Sequence, residues 1–478
     1  MIAPARAAAT EVLLTVEAGR WDLATALAQA HPSLADARDR ALLTELATGV
    51  QRWRLTLDFA IHALTGRQPA ELDDEVRTAL RLGLYQLAHV TRVPPSAVVN
   101  DAVEVVKRGR TRSASGLVNA VLRRVVRDGF PPLPEAPRVA IEDPQWRDQA
   151  LAYLSITHSH PRWLVERWLD RFGYDAVEAW VRYDNTPAAV TIWPTTPGPM
   201  SWLGDEPDAS ATRYVPGGAV LASARQFLGR IADGEAYAQD EASAAVARVA
   251  AAVGRGRVLD ACASPGGKTI AMRPHLPPGA RIVANDLRAR RVALLAASLS
   301  RQPGPRVPIV RSDAQHLPFN GTLDTILVDA PCSGLGTLRR EPDLRWRRTA
   351  AALPAFVRMQ RGLVDEALCA LAPGGHLIYA TCSSEPEENE AQVASLLAER
   401  PELRLVDLRE TPLPASMAPL IRADGTLRTW PHEHGLDAFY AAVIAVPAGG
   451  VAAGLSSVRY VGVDLQLDAF ANPIEWCR

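Results

Sequence analysis

From residue 234 onward, short runs of Val, Ile and Leu alternate with helix-patterned stretches, and no other feature constrains the fold as much. The runs are Arg257-Val-Leu-Asp260, Arg281-Ile-Val-Ala284, Val307 to Val310, Thr325-Ile-Leu-Val328 and His376-Leu-Ile-Tyr379. Strands this uniformly apolar are expected in a parallel sheet covered by helices on both faces. The carboxyl ends of such strands converge on one crevice, so the residues just after each run are the candidates for chemistry. Residues 234–447 are therefore predicted to be an α/β, Rossmann-like domain.

At 478 residues the chain has room for about three domains. Residues 1–130 read as all-helical, with apolar side chains at three- and four-residue spacing such as Leu42, Leu43, Leu46 and Val50. Within them, Pro94-Pro95 followed by Ser96 reads as a stop and then an N-cap. Pro131, Pro132, Pro134, Pro137 and Pro144 mark 131–149 as a linker. Residues 150–233 mix helical stretches with β-like runs such as Ala188 to Trp193, predicting a small α+β domain. The tail 448–478 takes no assignment.

A hydrophobic fraction of 48% and a charged fraction of 22% exclude a disordered or fibrous chain. Five cysteines are too few for a disulfide framework, which points to a reducing compartment. No apolar run reaches the ~18 residues that span a bilayer. Glu11 falls where a signal peptide would be apolar, and Cys477 is misplaced for prenylation. The expectation is a soluble, cytoplasmic monomer with no membrane contact. The net charge of −1 argues against nonspecific coating of nucleic acid, yet residues 101–130 hold seven basic and three acidic side chains. Only Lys107 and Lys268 are lysines.

The first run of the α/β region leads into Asp260-Ala-Cys-Ala-Ser-Pro-Gly-Gly-Lys-Thr269. A P-loop would need glycine at the position of Cys262, and no G-x-G-x-x-G fingerprint is present. What remains is a loop where a nucleoside-bearing cofactor can approach the backbone. Asp286 ends the second run, placed for ribose hydroxyls, and Asp313 and Asp329 follow the third and fourth. Each aspartate alone reads better as a helix N-cap than as a ligand contact; three acids at successive strand ends weaken that reading and favour a ligand.

Two cysteines occupy strand-to-helix turns, Asp329-Ala-Pro-Cys332-Ser-Gly-Leu-Gly336 and Ala380-Thr-Cys382-Ser-Ser-Glu-Pro-Glu-Glu-Asn389. Turns rich in Pro, Ser and Gly present backbone N–H groups that favour thiolate over thiol. Cys369, within a helical stretch, reads as an inert buried thiol. Zinc would require short Cys/His spacings that the chain lacks, so no metal is expected.

These turns, with the Asp-x-Cys-Ala-x-Pro-Gly-Gly-Lys-Thr loop, resemble the RNA 5-methylcytosine methyltransferases. The helical N-terminal part resembles the NusB family, through Asn100-Asp-Ala-Val-Glu-Val-Val-Lys107 and Gly116-Leu-Val-Asn119-Ala-Val-Leu-Arg-Arg124. Further matches are His158-Ser-His-Pro-x-Trp163, Gln239-Asp-Glu-Ala-Ser243 and Pro431-His-x-x-Gly-x-Asp437. The resemblance implies that S-adenosylmethionine is held by Cys262, Ala263, Ser264, Pro265, Gly266, Gly267, Lys268, Asp286, Asp313 and Asp329. It implies Cys382 as the nucleophile that adds to cytosine C6, Cys332 as the group that removes the C5 proton and frees the product, and Asp329 as the partner of cytosine N3. The substrate implied by the two parts together is RNA, specifically a cytosine of small-subunit (16S) rRNA. Ser264, Thr191-Ile-Trp193 and Ala438 stand where the family commonly has alanine, Arg-x-Asn and glycine.

Arg339 to Arg348 holds five arginines and a tryptophan directly after the Cys332 turn. Arginine for phosphate and an aromatic for stacking suit an RNA lip at Arg339, Arg340, Arg345 and Trp346, with Arg123 and Arg124 as a second contact. Self-paired charges on a solvated helix are the structural alternative. Rival functions are a tRNA or DNA cytosine methyltransferase, which would share the chemistry, and a noncatalytic RNA-binding or antitermination-type protein, which leaves the two thiols unexplained.

Overall fold

A computed structural model of the chain describes residues 2–449 except 197, 199, 201–202, 205–208 and 223–226. The tail predicted at 448–478, Cys477 included, lies from residue 450 outside the described residues. The chain divides into two compact units, Met1–Pro187 with Leu338–Ala350, and Ala188–Thr337 with the residues from Ala351 onward. Among the described residues no helix is long and apolar enough to cross a membrane.

The first unit is helical. Asp74–His89 is its central helix, buried continuously from Val76 to Gln86, with Pro4–Glu17, Ala37–Arg52, Pro95–Arg108 and Ser115–Asp128 around it. Each fully buried Leu or Val in this core contributes about 1.5–3 kcal/mol relative to exposure. The central helix also buries charge: Glu17 pairs with Arg54, Arg77 and Arg81, and Arg81 pairs with Asp58. Asp22 and Asp36 cap their helices by accepting from Thr25 N and Arg38 N. The predicted cap at Ser96 is not used. Pro95 itself begins the helix, because proline fits the first helical position, where no N–H is required.

The region predicted as one α+β domain is split. Its helices Trp146–Ala152, Arg162–Phe172 and Tyr174–Asp184 belong to the first unit, and its strands to the second. Those strands, β1 (Val190–Pro194), β2 (Ala209–Ala211) and β3 (Ala219–Leu221), join β4 (Ala236–Ala238), which lies just beyond the predicted boundary at 233, in an antiparallel sheet of order β2-β3-β1-β4. Thr191, Ile192 and Trp193 are buried in β1, so the segment that departs from the family's Arg-x-Asn builds sheet core instead of an RNA contact.

The large sheet contains β5 (Arg257–Asp260), β6 (Arg281–Asp286), β7 (Ile309–Arg311), β8 (Leu323–Asp329), β9 (Leu371–Thr381), β10 (Arg404–Val406) and β12 (Tyr440–Ala445), with β11 (Leu427–Arg428) pairing β12. Its order is β10-β12-β9-β8-β5-β6-β7. From β7 to β9 it is parallel, as the apolar runs predicted; β12 and β10 add an antiparallel edge. Two-residue alternation divides the core. Val258, Ile282, Leu327 and Ile378 pack in one cluster with helix Glu241–Val253. Leu259, Val283, Ile326 and Leu377 pack in another with helix Leu353–Ala370. Both faces are thereby covered, and β5 and β8 meet at the point where the chain reverses its direction of progress across the sheet.

Candidate active site

Strand register brings the two cysteine turns together. Asp329 of β8 pairs in parallel with Ala380 of β9, and each strand then turns, reaching Cys332 and Cys382 within three residues. Their Sγ atoms lie 3.2 Å apart, and both residues are half-buried with no disulfide between them. Gly336 N–H donates to Cys382 O (3.0 Å), and Ala438 N–H donates to Gly336 O (2.9 Å). A Cβ at Gly336 would stand 2.1 Å from Ala438 O and 2.8 Å from Cys382 O, so only glycine fits. Ala438 itself is fully buried without disturbing this contact.

Lys268, from the glycine-rich loop, donates to Asp329 Oδ2 at 2.7 Å and lies 5.3 Å from the Phe439 ring. Burial opposes its charge, but Asp329, followed by Cys382 and Asp260, raises its affinity for the proton. An ammonium so placed interacts favourably with a negative charge on Cys382. Cys262 is different: burial, with Asp260, Asp329 and Asp286 adding, pushes its thiol far up and leaves it protonated. Burial likewise raises Cys369, near the end of its helix.

The loop's backbone turns sharply at Gly266, with φ +107°, before helix Gly267–Met272. Ala263 and Ser264 are buried and Pro265 is exposed. Asp286 Oδ2 accepts from Ser264 N–H (3.2 Å) and from Arg291 Nε (3.1 Å), while Ser264 Oγ donates to Arg291 O (3.0 Å). The serine that replaces the family's alanine is thus part of the loop's anchoring. Asp313 accepts from Gln315 N–H (2.9 Å), a turn-capping role, and keeps a partly exposed carboxylate. Asp260 is buried; its Oδ2 accepts from Thr269 Oγ1 (2.6 Å), and burial lifts its carboxyl to about 7. Two buried oxygens near this loop, Asp260 Oδ1 and Gln239 Oε1, have no hydrogen-bond partner among the described residues. Gln239 borders Gly267, where an added Cβ would meet its amide at 3.4 Å.

The arginine-rich segment corrects the expected RNA lip. Leu338–Ala350 is part of the first unit, and there Arg345 is fully buried. Its guanidinium donates to the carbonyls of Arg52, Ser159 and Asp184 and to Asn185 Oδ1, all at 2.9–3.0 Å. Trp346 Nε1 donates to Gln51 O (2.7 Å), and Arg54 lies over its ring. Arg345 is not available to RNA, and the indole N–H of the half-buried Trp346 is already committed: carbonyls left without partners by the helix ends and turns of this unit recruit both. The His158-Ser-His-Pro motif is explained by the same contact, since Ser159 accepts from Arg345. Arg339 lies over Tyr183 and donates to Pro187 O, and Arg340 is half-buried. Arg123 and Arg124 are exposed on helix Ser115–Asp128.

Sequence reasoning missed Glu388. This carboxylate is fully buried and accepts hydrogen bonds from Ser333 and Ser383, one in each cysteine turn. In the run Glu385-Pro-Glu-Glu-Asn389 nothing local distinguishes it from Glu387.

Residues 249–445 match the 16S rRNA methyltransferase RsmB/F family, and residues 3–127 match the NusB family. Rv1407 of Mycobacterium tuberculosis is 36% identical over 461 residues, covering 92% of this chain and 96% of that protein. Ribosomal RNA small subunit methyltransferase B of Pseudomonas putida is 34% identical over 446 residues, covering 91% and 97%. The crystal structure of PH0851 has the same fold, with TM-score 0.75 and 24% identity over 93% of this chain and 99% of that one.

Proposed function

Because the chain belongs to the RsmB/F family of 16S rRNA methyltransferases, with an N-terminal NusB-family domain, we propose that it methylates C5 of a cytosine in small-subunit rRNA through a covalent Cys382 adduct. The observation that carries this reading is the pair of thiols 3.2 Å apart at adjacent strand ends, with the Lys268 ammonium close enough to Cys382 for the two to interact electrostatically. Cytosine C5 is a poor nucleophile until a group adds at C6. The Cys382 thiolate forms that bond to C6, and electron density moves to C5. Asp329 holds a proton at cytosine N3 as this occurs. Once C5 carries its methyl group, Cys332 removes the C5 proton, the electrons of that C–H bond re-form the C5–C6 double bond, and Cys382 leaves as thiolate.

The methyl donor this reading requires is S-adenosylmethionine, which supplies an electrophilic methyl group on a sulfonium. Its ammonium, ribose hydroxyls and adenine amine are donors, and the strand ends offer acceptors to match. Among the described residues Asp260 Oδ1 and Gln239 Oε1 are buried without partners, and Asp286 and Asp313 stand at the next two strand ends. The loop 262–268 would hold the rest of the molecule against its backbone. A base paired in folded RNA must be extruded to reach the thiols, at a cost of about a few kcal/mol, so an unpaired cytosine is the favoured substrate. Arg123 and Arg124 are the exposed arginines proposed to contact phosphate.

The test uses Cys332→Ala and Cys382→Ala with small-subunit rRNA and S-adenosylmethionine. Cys332→Ala should accumulate a protein–RNA adduct that survives denaturation, and Cys382→Ala should form none. An adduct that persists in Cys382→Ala, or full activity in either variant, overturns the assignment.

A further inference from the structure

The sheet brings β8 and β9 together only as far as Asp329 and Ala380. Beyond that point one backbone hydrogen bond, Gly336 N–H to Cys382 O (3.0 Å), still joins the two cysteine turns, on the far side of Cys332 from the sheet. Glu388 supplies side-chain links between the turns next to the sulfurs. Its Oε1 accepts from Ser333 N–H (2.8 Å) and Gln360 Nε2 (2.9 Å), and its Oε2 accepts from the hydroxyls of Ser333 and Ser383 (2.5 Å each). Ser333 follows Cys332 and Ser383 follows Cys382, and the two hydroxyl oxygens are 3.1 Å apart. Gln360 Nε2 also donates to Pro331 O (3.1 Å), on the other side of Cys332, and Tyr379 OH donates to Glu388 O (2.6 Å).

A carboxylate with no solvent exposure carries a desolvation penalty of several kcal/mol unless it is fully hydrogen-bonded. Here four donors meet it, and three of them belong to the residues that directly follow the two thiols. The chemistry proposed above gives Glu388 no step of its own.

We propose that Glu388 is a positioning residue. Its carboxylate brackets Ser333 and Ser383 and so sets the separation of Cys332 and Cys382, without touching substrate or cofactor. The inference rests on the two-cysteine reading. Proton removal by Cys332 takes place on a base bonded to Cys382, so release is the step most sensitive to the distance between the sulfurs. A displacement of ~1 Å at such a site can cost ~10²-fold in rate.

Two variants of the full chain test this. Glu388→Gln keeps the size and one acceptor but replaces the other oxygen with a donor; Ser383→Ala removes one bracket bond and leaves the carboxylate. The first readout is oxidation by diamide, which takes two electrons and two protons as the two thiols join, followed by mass analysis of the Cys332–Cys382 disulfide. Both variants should form it ~10-fold more slowly than the unaltered protein. The second is turnover: kcat should fall ~10²-fold in Glu388→Gln while KM for S-adenosylmethionine stays within about twofold, and the Cys382–RNA adduct should build up. Disulfide formation at the unaltered rate in a folded variant overturns the proposal, whatever happens to turnover. If Glu388→Gln does not fold, Ser383→Ala decides. If the unaltered protein methylates no RNA, the reading of function fails, and the oxidation rates still decide the bracket.

Discussion

Lys268 Nζ donates a 2.7 Å hydrogen bond to Asp329 Oδ2, joining the glycine-rich loop after β5 to the end of β8. The ammonium is thereby fixed close enough to Cys382 for the two charges to act on each other. Replacing it by Lys268→Met removes the cation and leaves the thiolate less favoured. Alkylation of Cys382 by iodoacetamide, followed by peptide mass, should slow by ~10-fold at neutral pH and recover at higher pH. Cys262 should stay unmodified in both proteins. An unchanged pH profile would show that Lys268 does not govern the thiol.

Arg345 is predicted to matter for stability. Arg345→Met leaves three carbonyls and an amide oxygen without their donor, and unfolding in urea should show a loss of about 3 kcal/mol. Arg123→Ala, on an exposed helix face, should change stability by less than about 0.5 kcal/mol. It should instead weaken RNA binding and reduce the salt dependence by about one phosphate contact. If the two variants exchange these effects, the division between buried and RNA-facing arginines is wrong.

Asp260 makes stability depend on pH. Burial, opposed by the Thr269 hydrogen bond, raises its carboxyl from 3.8 to about 7. The folded protein therefore holds this proton more tightly than the unfolded chain does. The resulting stabilisation is complete below the unfolded value and is lost as pH rises through the folded one. Asp260→Asn is neutral throughout, so its Tm relative to the unaltered protein should rise progressively from pH 4 to pH 8, a window of about four units around those values. A Tm difference independent of pH would contradict the shift.

Gly336→Ala should distort the turn that carries Cys332, because the new methyl group meets two backbone oxygens. We expect a loss of about 1–3 kcal/mol in stability together with most of the activity. Gly116→Ala is the matched control: nothing lies within 4 Å of its Cβ position, and in helix Ser115–Asp128 alanine should stabilise by about 0.5–1 kcal/mol. Equal thermal shifts for the two variants would refute the steric argument.

The parallel strands were legible in the sequence because apolar runs ending in Asp260, Asp286 and Asp329 can satisfy water on neither face. The loop 262–268 was legible because Cys262 stands where a P-loop needs glycine and no G-x-G-x-x-G is present, which excludes the other common nucleotide cradles. Less of the rest could be read locally. A proline-dense stretch around 131–144 suggested a domain boundary there, yet the helices up to Asp184 stay with the first unit. Pro94-Pro95-Ser96 read as a stop and then a cap at Ser96, yet the helix starts at Pro95, whose missing N–H costs nothing at the first helical position.

What the sequence determined by itself is the α/β order, the loop beside β5 and the placing of Cys332 and Cys382 directly after two strands. Those features follow from side-chain pattern and backbone geometry over a few residues. Tertiary structure decided which charged groups turn inward. Arg345 is drawn from an apparent RNA lip into a ring of acceptors at residues 52, 159, 184 and 185, and Glu388, one acid in a row of them, bridges turns 50 residues apart. The physical reason is that a buried charge persists only where distant segments supply its hydrogen-bond partners, and those partners are set by the fold as a whole.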